Sequence, residues 1–561
     1  MKKVMLAAVF VVTFLALGGR PASAVENNVV KVGLRYESSA MFSANLENAV
    51  GEGYEFGYYG EDRRFNALGR TDETAISMTA AGTIYMDGSG VYSSTVPAGG
   101  YRSMGSWHVQ LEGYGSYEEA ASAAASAGGW PAWIDYAFVV RVGCYGSRGE
   151  AEDAGLGGRA VQSSSTGVLV TRTRTTDILF EFDCGGDLAL GVLPDGWGRE
   201  ASTWFRGYKY AGGFEYPRSA GGNLKVVNVL DLEDYVKGVV PYEMGGGWPL
   251  AALEAQAVCA RTFVCGHAKH LKSQGFDVCA TQDCQVYCGR GSGTNAPTDT
   301  SDLAVDNTAG LCIYYQDELV QDAVYHASDG GATEDGANVW GTETGYLKGK
   351  LDPYEAQTSV PNNSYSVTYT AAELSWILDQ KGYSVGTVRD AYVSEYTPVG
   401  NVSKVTFVGS AGTKTFSGEA CRTIFYSSTY KKSVTSMRFD INGGGRGTVM
   451  TSSGISLTGG GTLASLDGAE VISGDGERTV LQGTAAAAAT ASGVTAVTGN
   501  VTASAPPASS GPKNNNGTFT VTGTGNGHNV GMSQYGAKAM AELGYEFRSI
   551  LEFYYTGITI E

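Results

Sequence analysis

LEDYVKGVVPYEMGGGWPLAALEAQAVCARTFVCGHAKH, residues 232–270, is the stretch around which the rest of the chain arranges itself. A β-branched run that begins upstream at Val226, Val227 and Val229 and ends at Val239 and Val240 reads as strand. Pro241 and the glycines 245–247 break it, and Pro249 opens a helix, a position proline favours because its missing N–H has no partner there anyway. Along that helix Leu250, Leu253, Ala257, Val258 and Val264 recur at helical spacing and are expected to face a core. Glu243 falls in the loop before the helix, between Tyr242 and Met244 and close to Trp248. A carboxyl among apolar and aromatic neighbours has a raised pKa, which a proton donor near neutral pH requires, although most loop glutamates are simply solvated.

Outward from this stretch, the chain of 561 residues is too long for one compact core, and about three domains are expected. With 80 glycines, 33 tyrosines and only 17% charged residues, the composition suits a strand-rich, loop-rich extracellular protein. A net charge of −18 argues against nucleic acid or anionic lipid as a partner, since a phosphate polymer needs a basic face. Residues 1–24 read as an export signal: Lys2 and Lys3, the apolar run Val4–Leu17, then Ala22, Ser23 and Ala24 before Val25. The location expected is extracytoplasmic, either secreted or held at the wall by an uncleaved anchor.

Residues 27–100 read as a β-rich N-terminal region. From Trp107 to Gly155 an internal repeat appears, in which a strand ending in Gly, a Tyr and a Ser lead into an acidic, Ala-rich helix, first over 109–127 and again over 139–154. Two strand–helix units with an added strand each make a ferredoxin-like βαββαβ domain, placed at 104–175. Short strands follow from Asp187, strand-rich sequence resumes at Leu311–Val324, and Ala371–Gln380 reads as a short helix. A further domain, the one that holds Glu243, is placed at 187–561, interrupted over 443–517 by a Gly, Ala, Ser and Thr-rich insertion that cannot bury enough apolar surface to offset its ordering entropy. The fold class is therefore α+β and multidomain.

The nine cysteines include the group Cys279, Cys284 and Cys288, with His267 and His270 a little upstream. Thiols and imidazoles so grouped are able to hold zinc, but the spacing is not a standard zinc pattern, and an exported chain meets oxidants. On compartment grounds a Cys279–Cys284 disulfide is preferred over a metal held by Cys279, Cys284 and His270.

The words PYEM, WPLAALEAQAVCARTF, QVYCGR, AVYHASDGGATED, YLKGKLDPY and GHNVGMSQYGAKAMA, in this order, resemble the stage II sporulation protein D, or amidase-enhancer, family. The resemblance covers roughly 27–61 and 205–561, and the repeat resembles a sporulation-related repeat domain, whose members bind glycan strands stripped of their peptides. It implies a lytic transglycosylase cutting bacterial wall glycan, with Glu243 as catalytic residue. It also implies that Arg261, His326, Tyr346, Lys348, His528 and Gln534 lie in or near the substrate cleft, and that zinc sits in the cysteine stretch. For each there is a plainer role: Arg261 as a helix-capping cation, Lys348 as a solvated lysine, the two histidines as hydrogen-bonding loop residues. Asn529 stands where relatives usually have Gly, and asparagine tolerates a left-handed backbone better than most residues.

One dependable carboxylate decides the expected chemistry. Hydrolases usually need two carboxyl groups, whereas a transglycosylase uses the sugar's own O6 as nucleophile and needs one. No cofactor is required for that step, so any zinc would be structural. The resemblance implies peptidoglycan strands as substrate, in sporulation, and a wall amidase as partner. Two other readings remain open at this point: a non-catalytic amidase activator, and a hydrolytic muramidase pairing Glu243 with Asp352.

Overall fold

A computed structural model describes residues 28–196, 201–219, 222–267, 269–291, 295–442 and 517–561, with the backbone of short strands between 449 and 498. The export-signal reading, and most of the insertion reading at 443–517, fall outside the described residues. The architecture is mixed α+β, strand-rich and multidomain.

The valine run of the opening stretch does not continue as strand. Val226–Asp231 is a strand, and Leu232–Glu243 is a helix, so Glu243 is the helix's last residue and not a loop residue. Two local causes turn the chain. The Asp231 carboxylate caps the helix by accepting from Glu233 N at 2.8 Å, and Glu233 and Asp234 put negative charge on the first turn. The apolar residues Leu232, Tyr235, Val236, Val239 and Val240 are all buried and follow the helical spacing i, i+3, i+4, i+7, i+8. Pro241 sits in the final turn, and Met244 N closes it on Val240 O at 2.9 Å. Gly238 lies where any side chain would collide with the Tyr287 ring and Gly289 O, so the 286–289 segment can lie directly on this helix.

The helix expected after Pro249 runs Leu250–Gly266. It is buried on nearly every side, Ala252, Leu253, Ala255, Ala257, Val258, Cys259 and Ala260 all at 0% exposure, which makes it the central helix of the main core. Helices Leu232–Glu243, Asp299–Asn307, Gln534–Glu542 and Phe547–Tyr554 pack around it.

The N-terminal region is not a unit of its own. Its strand Val29–Arg35 lies between Val226–Asp231, antiparallel, and Val278–Cys279, parallel, inside a seven-stranded sheet. Val30, Val32 and Leu34 bury alternate positions of it in the same core as the helices. Arg63 and Asp277 reinforce the join with a buried bidentate pair at 2.7 Å, and Lys31 N donates to Asp277 at 2.9 Å. Strands Ser43–Val50 and Ala75–Ala80 instead enter a ten-stranded sheet.

The repeat segment forms strand Trp107–Tyr114, helix Tyr117–Ala127, strands Gly129–Ile134 and Ala137–Tyr145, helix Arg148–Asp153 and strand Arg159–Gln162. Spatially the strands run 159–162, 107–114, 137–145, 129–134, each antiparallel to its neighbour. The repeat is visible down to its caps. Ser116 accepts from Glu119 N and Ser147 from Glu150 N, while Gly115 N donates to the Glu119 side chain and Gly146 N to that of Glu150, each at 2.8 Å. The sheet is not free-standing, because Gly129–Ile134 pairs in parallel with Ile178–Asp183 and joins the ten-stranded sheet.

The C-terminal half holds a second core around Tyr369, Leu374, Val405, Phe407, Phe425 and Val521, to which the expected helix Ala371–Gln380 contributes, capped by Thr370 with Glu373. The chain then returns to the main core. Met532–Ser533 pairs in parallel with Tyr325–His326, and Ile558–Ile560 pairs with Ile313–Tyr315.

Candidate functional site

Glu243 is half-buried at its helix end. Val286 N donates to its Oε1 at 3.4 Å, and the side chains of Tyr325 and Gln534 hydrogen-bond its carboxyl. Burial pushes the carboxyl's pKa upward, opposed by these three neutral donors. Behind Tyr325 stands a relay of neutral groups: Gln285 donates to the Tyr325 hydroxyl at 3.2 Å and accepts from Tyr235 OH at 2.9 Å. Gln534 in turn donates to Gln256 Oε1 on the central helix at 3.3 Å. A carboxyl whose pKa is raised by burial, oriented by neutral donors and still reachable from outside, is equipped to give and recover a proton. Close by, Trp248 and Tyr535 lie with ring centroids 4.9 Å apart, and Lys538 Nζ stands 5.9 Å over the indole.

Of the other expected cleft residues, Gln534 is the one brought to Glu243. His326 is buried, its Nδ1 against Val530 O at 3.1 Å and its ring 5.3 Å from that of His528, which meets Trp340 at 5.0 Å. Burial lowers both histidines' pKa, that of His528 to about 4, so both are neutral at pH 7. Arg261 points inward. At 0% exposure its guanidinium forms a two-point pair with Glu233 at 2.8 and 2.6 Å and donates to Leu311 O at 3.0 Å. Tyr346 is also committed inward, its hydroxyl accepting from Asp322 N at 3.3 Å, and Lys348 pairs with Asp335 at 3.2 Å. Asp352, the expected second carboxylate of a hydrolase, is 4% exposed and bonded to Tyr354 N, Glu355 N and Tyr554 OH. Asn529 adopts φ 66° and does more than tolerate the turn: its side chain donates to Asp329 O at 2.6 Å and accepts from Met437 N at 2.9 Å.

Gln285, Tyr235 and Tyr325 were not singled out from the sequence. Tyr325 and Gln285 each stand inside a quoted motif, beside the residue that drew attention, His326 in one case and the cysteines in the other.

All nine cysteines are free thiols, so the preferred Cys279–Cys284 disulfide is not formed. The two thiols lie together, and their mutual hydrogen bond pushes the pKa of Cys279 down and that of Cys284 up. His270, Cys279, Asp283 and Cys284 offer ligand atoms all within 4.8 Å of one another. Two soft thiols, an imidazole whose Nε2 has no hydrogen-bond partner, and a carboxylate are a donor set suited to zinc. No described helix is long and apolar enough to cross a membrane.

A single half-buried carboxyl at a helix end is thus clamped by residues from three distant parts of an α+β chain. Residues 220–315 match the family model described as SpoIID, Stage II sporulation protein. It is 28% identical over 349 residues to the amidase enhancer of Bacillus subtilis (strain 168), covering 58% of this chain and 40% of that protein. It is 26% identical over 345 residues to stage II sporulation protein D of the same organism, covering 60% of this chain and 75% of the relative. An uncharacterized protein of Brachyspira hyodysenteriae (strain ATCC 49526 / WA1) is 28% identical over 337 residues, covering 60% and 68%.

Proposed function

We propose that the chain is a peptidoglycan lytic transglycosylase that cuts peptide-stripped glycan strands between N-acetylmuramic acid and N-acetylglucosamine. The match of residues 220–315 to the sporulation family model and likeness to an amidase enhancer and to stage II sporulation protein D support a role at the cell wall during sporulation, outside the cytoplasm. The observation that carries the chemistry is the company Glu243 keeps: every group that touches its carboxyl is neutral, and Asp352 is sealed elsewhere.

Protonated Glu243 gives its proton to the glycosidic oxygen as the C1–O bond breaks and positive charge develops on the muramoyl ring. The carboxylate so formed then takes the proton from the muramoyl O6 hydroxyl while O6 bonds to C1, leaving a 1,6-anhydro end and restoring the acid. The nucleophile is already tethered, so effective molarity stands in for a second carboxylate. Tyr325 and Gln534 orient the carboxyl through both half-reactions, and the Trp248–Tyr535 pair offers ring faces for the sugars. The βαββαβ segment is proposed as a ferredoxin-like glycan-binding unit. His270, Cys279 and Cys284, with Asp283, are proposed to hold a structural zinc that takes no part in proton transfer.

The name of the amidase-enhancer relative favours a second reading, in which the chain stimulates a wall amidase without cutting glycan. Mass spectrometry of products from peptide-stripped glycan separates the readings. Anhydro ends support the transglycosylase, reducing ends a hydrolase, and no cleavage unless amidase is added the activator.

A further inference from the structure

We propose that Asp329, Asp352 and Glu355 form a binding site for one hard divalent cation, calcium by class, that braces the segments carrying the Glu243 environment. Asp329 comes from the 326–331 loop and Asp352 and Glu355 from the 352–355 turn; they are 0%, 4% and 1% exposed and offer carboxylate oxygens within 4.8 Å of one another. Their partners are all neutral. Glu355 accepts from Ser328 Oγ at 2.6 Å, Gly330 N at 3.0 Å, Asp329 N at 2.8 Å and Ser533 Oγ at 2.7 Å. Asp352 accepts from Tyr354 N at 2.8 Å, Glu355 N at 3.1 Å and Tyr554 OH at 2.6 Å. Asp329 Oδ1 accepts from Gly331 N at 2.7 Å, but its Oδ2, fully buried within the set, has no hydrogen-bond partner.

Three carboxyl groups out of water, with no positive side chain bonded to them among the described residues, need a cation or a proton to neutralise them. The three carboxyl groups face one another with ligand atoms within 4.8 Å, so the bare set is uncompensated as anions. Oxygen-only donors select a hard cation over zinc or copper. Magnesium keeps several waters and demands a near-ideal octahedron, whereas calcium accepts carboxylates in one- or two-point contact in an irregular shell. A site this dry favours calcium.

The position gives the cation a purpose. Ser533 bonds Glu355 and also caps the helix Gln534–Glu542, whose first residue touches Glu243. Ser533 pairs with His326, next to Tyr325, the other side chain on that carboxyl. Gly536 has no room for a side chain, which would strike Tyr554 Oη and Asp352 Oδ2, so this helix sits directly against the carboxylates. A cation here ties the 326–331 loop, the 352–355 turn and two C-terminal helices into one body.

The full-length chain, stripped with chelator and desalted, is titrated with calcium and separately with terbium, whose emission a nearby tyrosine sensitises. The expected result is about one calcium per chain with a raised Tm, and terbium emission that calcium displaces. Asp329→Asn abolishes both responses, Tyr554→Phe dims the emission, and the surface control Asp299→Asn changes neither. No calcium-dependent Tm shift and no terbium emission from the wild type overturns the proposal. A response that survives in Asp329→Asn overturns it equally. An Asp329→Asn chain as stable as metal-free wild type, with no wild-type metal response, assigns the site instead to a proton shared between Asp329 and Asp352. If Asp329→Asn does not fold, the wild-type terbium emission and its dimming in Tyr554→Phe decide. Because these readouts are metal content, Tm and emission, they stand apart from glycan cleavage.

Discussion

Gln534 hydrogen-bonds the carboxyl of Glu243, joining the first residue of one helix to the last residue of another that lies far earlier in the chain. The contact makes the carboxyl a property of the whole fold. Replacing Gln534 with Ala should leave Glu243 buried and remove one donor that favours its ionised form. The pH profile of glycan cleavage should then shift its alkaline limb upward, since the donor lowers the pKa. An unmoved limb would remove Gln534 from the positioning role.

Glu243→Gln keeps the shape and cannot transfer a proton. Cleavage of peptide-stripped glycan should fall by roughly 10²–10⁴-fold, the usual worth of a general acid or base, with an unchanged circular dichroism spectrum. Near-wild-type turnover would rule the residue out.

The same variant carries a sign prediction for stability. In the unfolded chain the Glu243 carboxyl has an ordinary pKa of about 4.3; in the fold burial raises it. The stability associated with the neutral acid is therefore full below about pH 4.3 and is lost as pH rises through the folded value. Glu243→Gln should gain on wild type in Tm as pH rises across that window and show no pH-dependent gain below it. His528 runs the other way. Burial, then the charge of Arg422, lowers its pKa to about 4, so its contribution is full above the unfolded value of about 6.5 and lost as pH falls toward about 4. His528→Gln should flatten the acid limb of a Tm-against-pH curve, and an unchanged limb would show that other groups set it.

Arg261 separates a binding role from a structural one. Arg261→Ala leaves Glu233 without its two-point partner and should cost about 3 kcal/mol, toward the lower end for a buried pair because Glu233 keeps partial access to water. Arg261→Lys should restore little, since a point charge cannot reproduce the fork. Urea unfolding measures the loss. A variant of full stability with weakened glycan binding would return Arg261 to the cleft.

Cys279→Ser tests the thiol cluster. If zinc is held there, chain purified without chelator carries about one zinc, and the variant loses the metal together with several degrees of Tm. Metal-free wild type with Cys279 and Cys284 linked in non-reducing peptide maps would reinstate the disulfide.

Much of the opening stretch was legible in its residues. The Leu250–Gly266 helix follows from Pro249 and the alanines, and Glu243 stands out by its aromatic neighbours. The helix before it was hidden by the valines, whose β-branching weighs toward strand in local preference. Yet 232, 235, 236, 239 and 240 carry a helical period, and Asp231 supplies a cap. Periodicity outranks propensity when a face is buried. The repeat at 107–162 was readable because its capping chemistry is local. The inward turn of Arg261 was not readable for the opposite reason, as only its pairing with Glu233 across two helices shows where the charge goes. Gln285, Tyr235 and the three carboxylates at 329, 352 and 355 meet through tertiary folding alone, and no spacing announces them.

The return of the chain at Met532–Ser533, to lie beside Tyr325–His326, sets an order of events in the protein's life. While the polypeptide is being made, Glu243 emerges early, and the segment that brings Gln534 and the Ser533 cap arrives near the end. Until then the carboxyl lacks one of its donors and the central helix lacks one of its packing neighbours. A nascent or C-terminally clipped chain therefore carries Glu243 without Gln534, and under the function proposed above its acid would come into full working order only when the last segment has folded back.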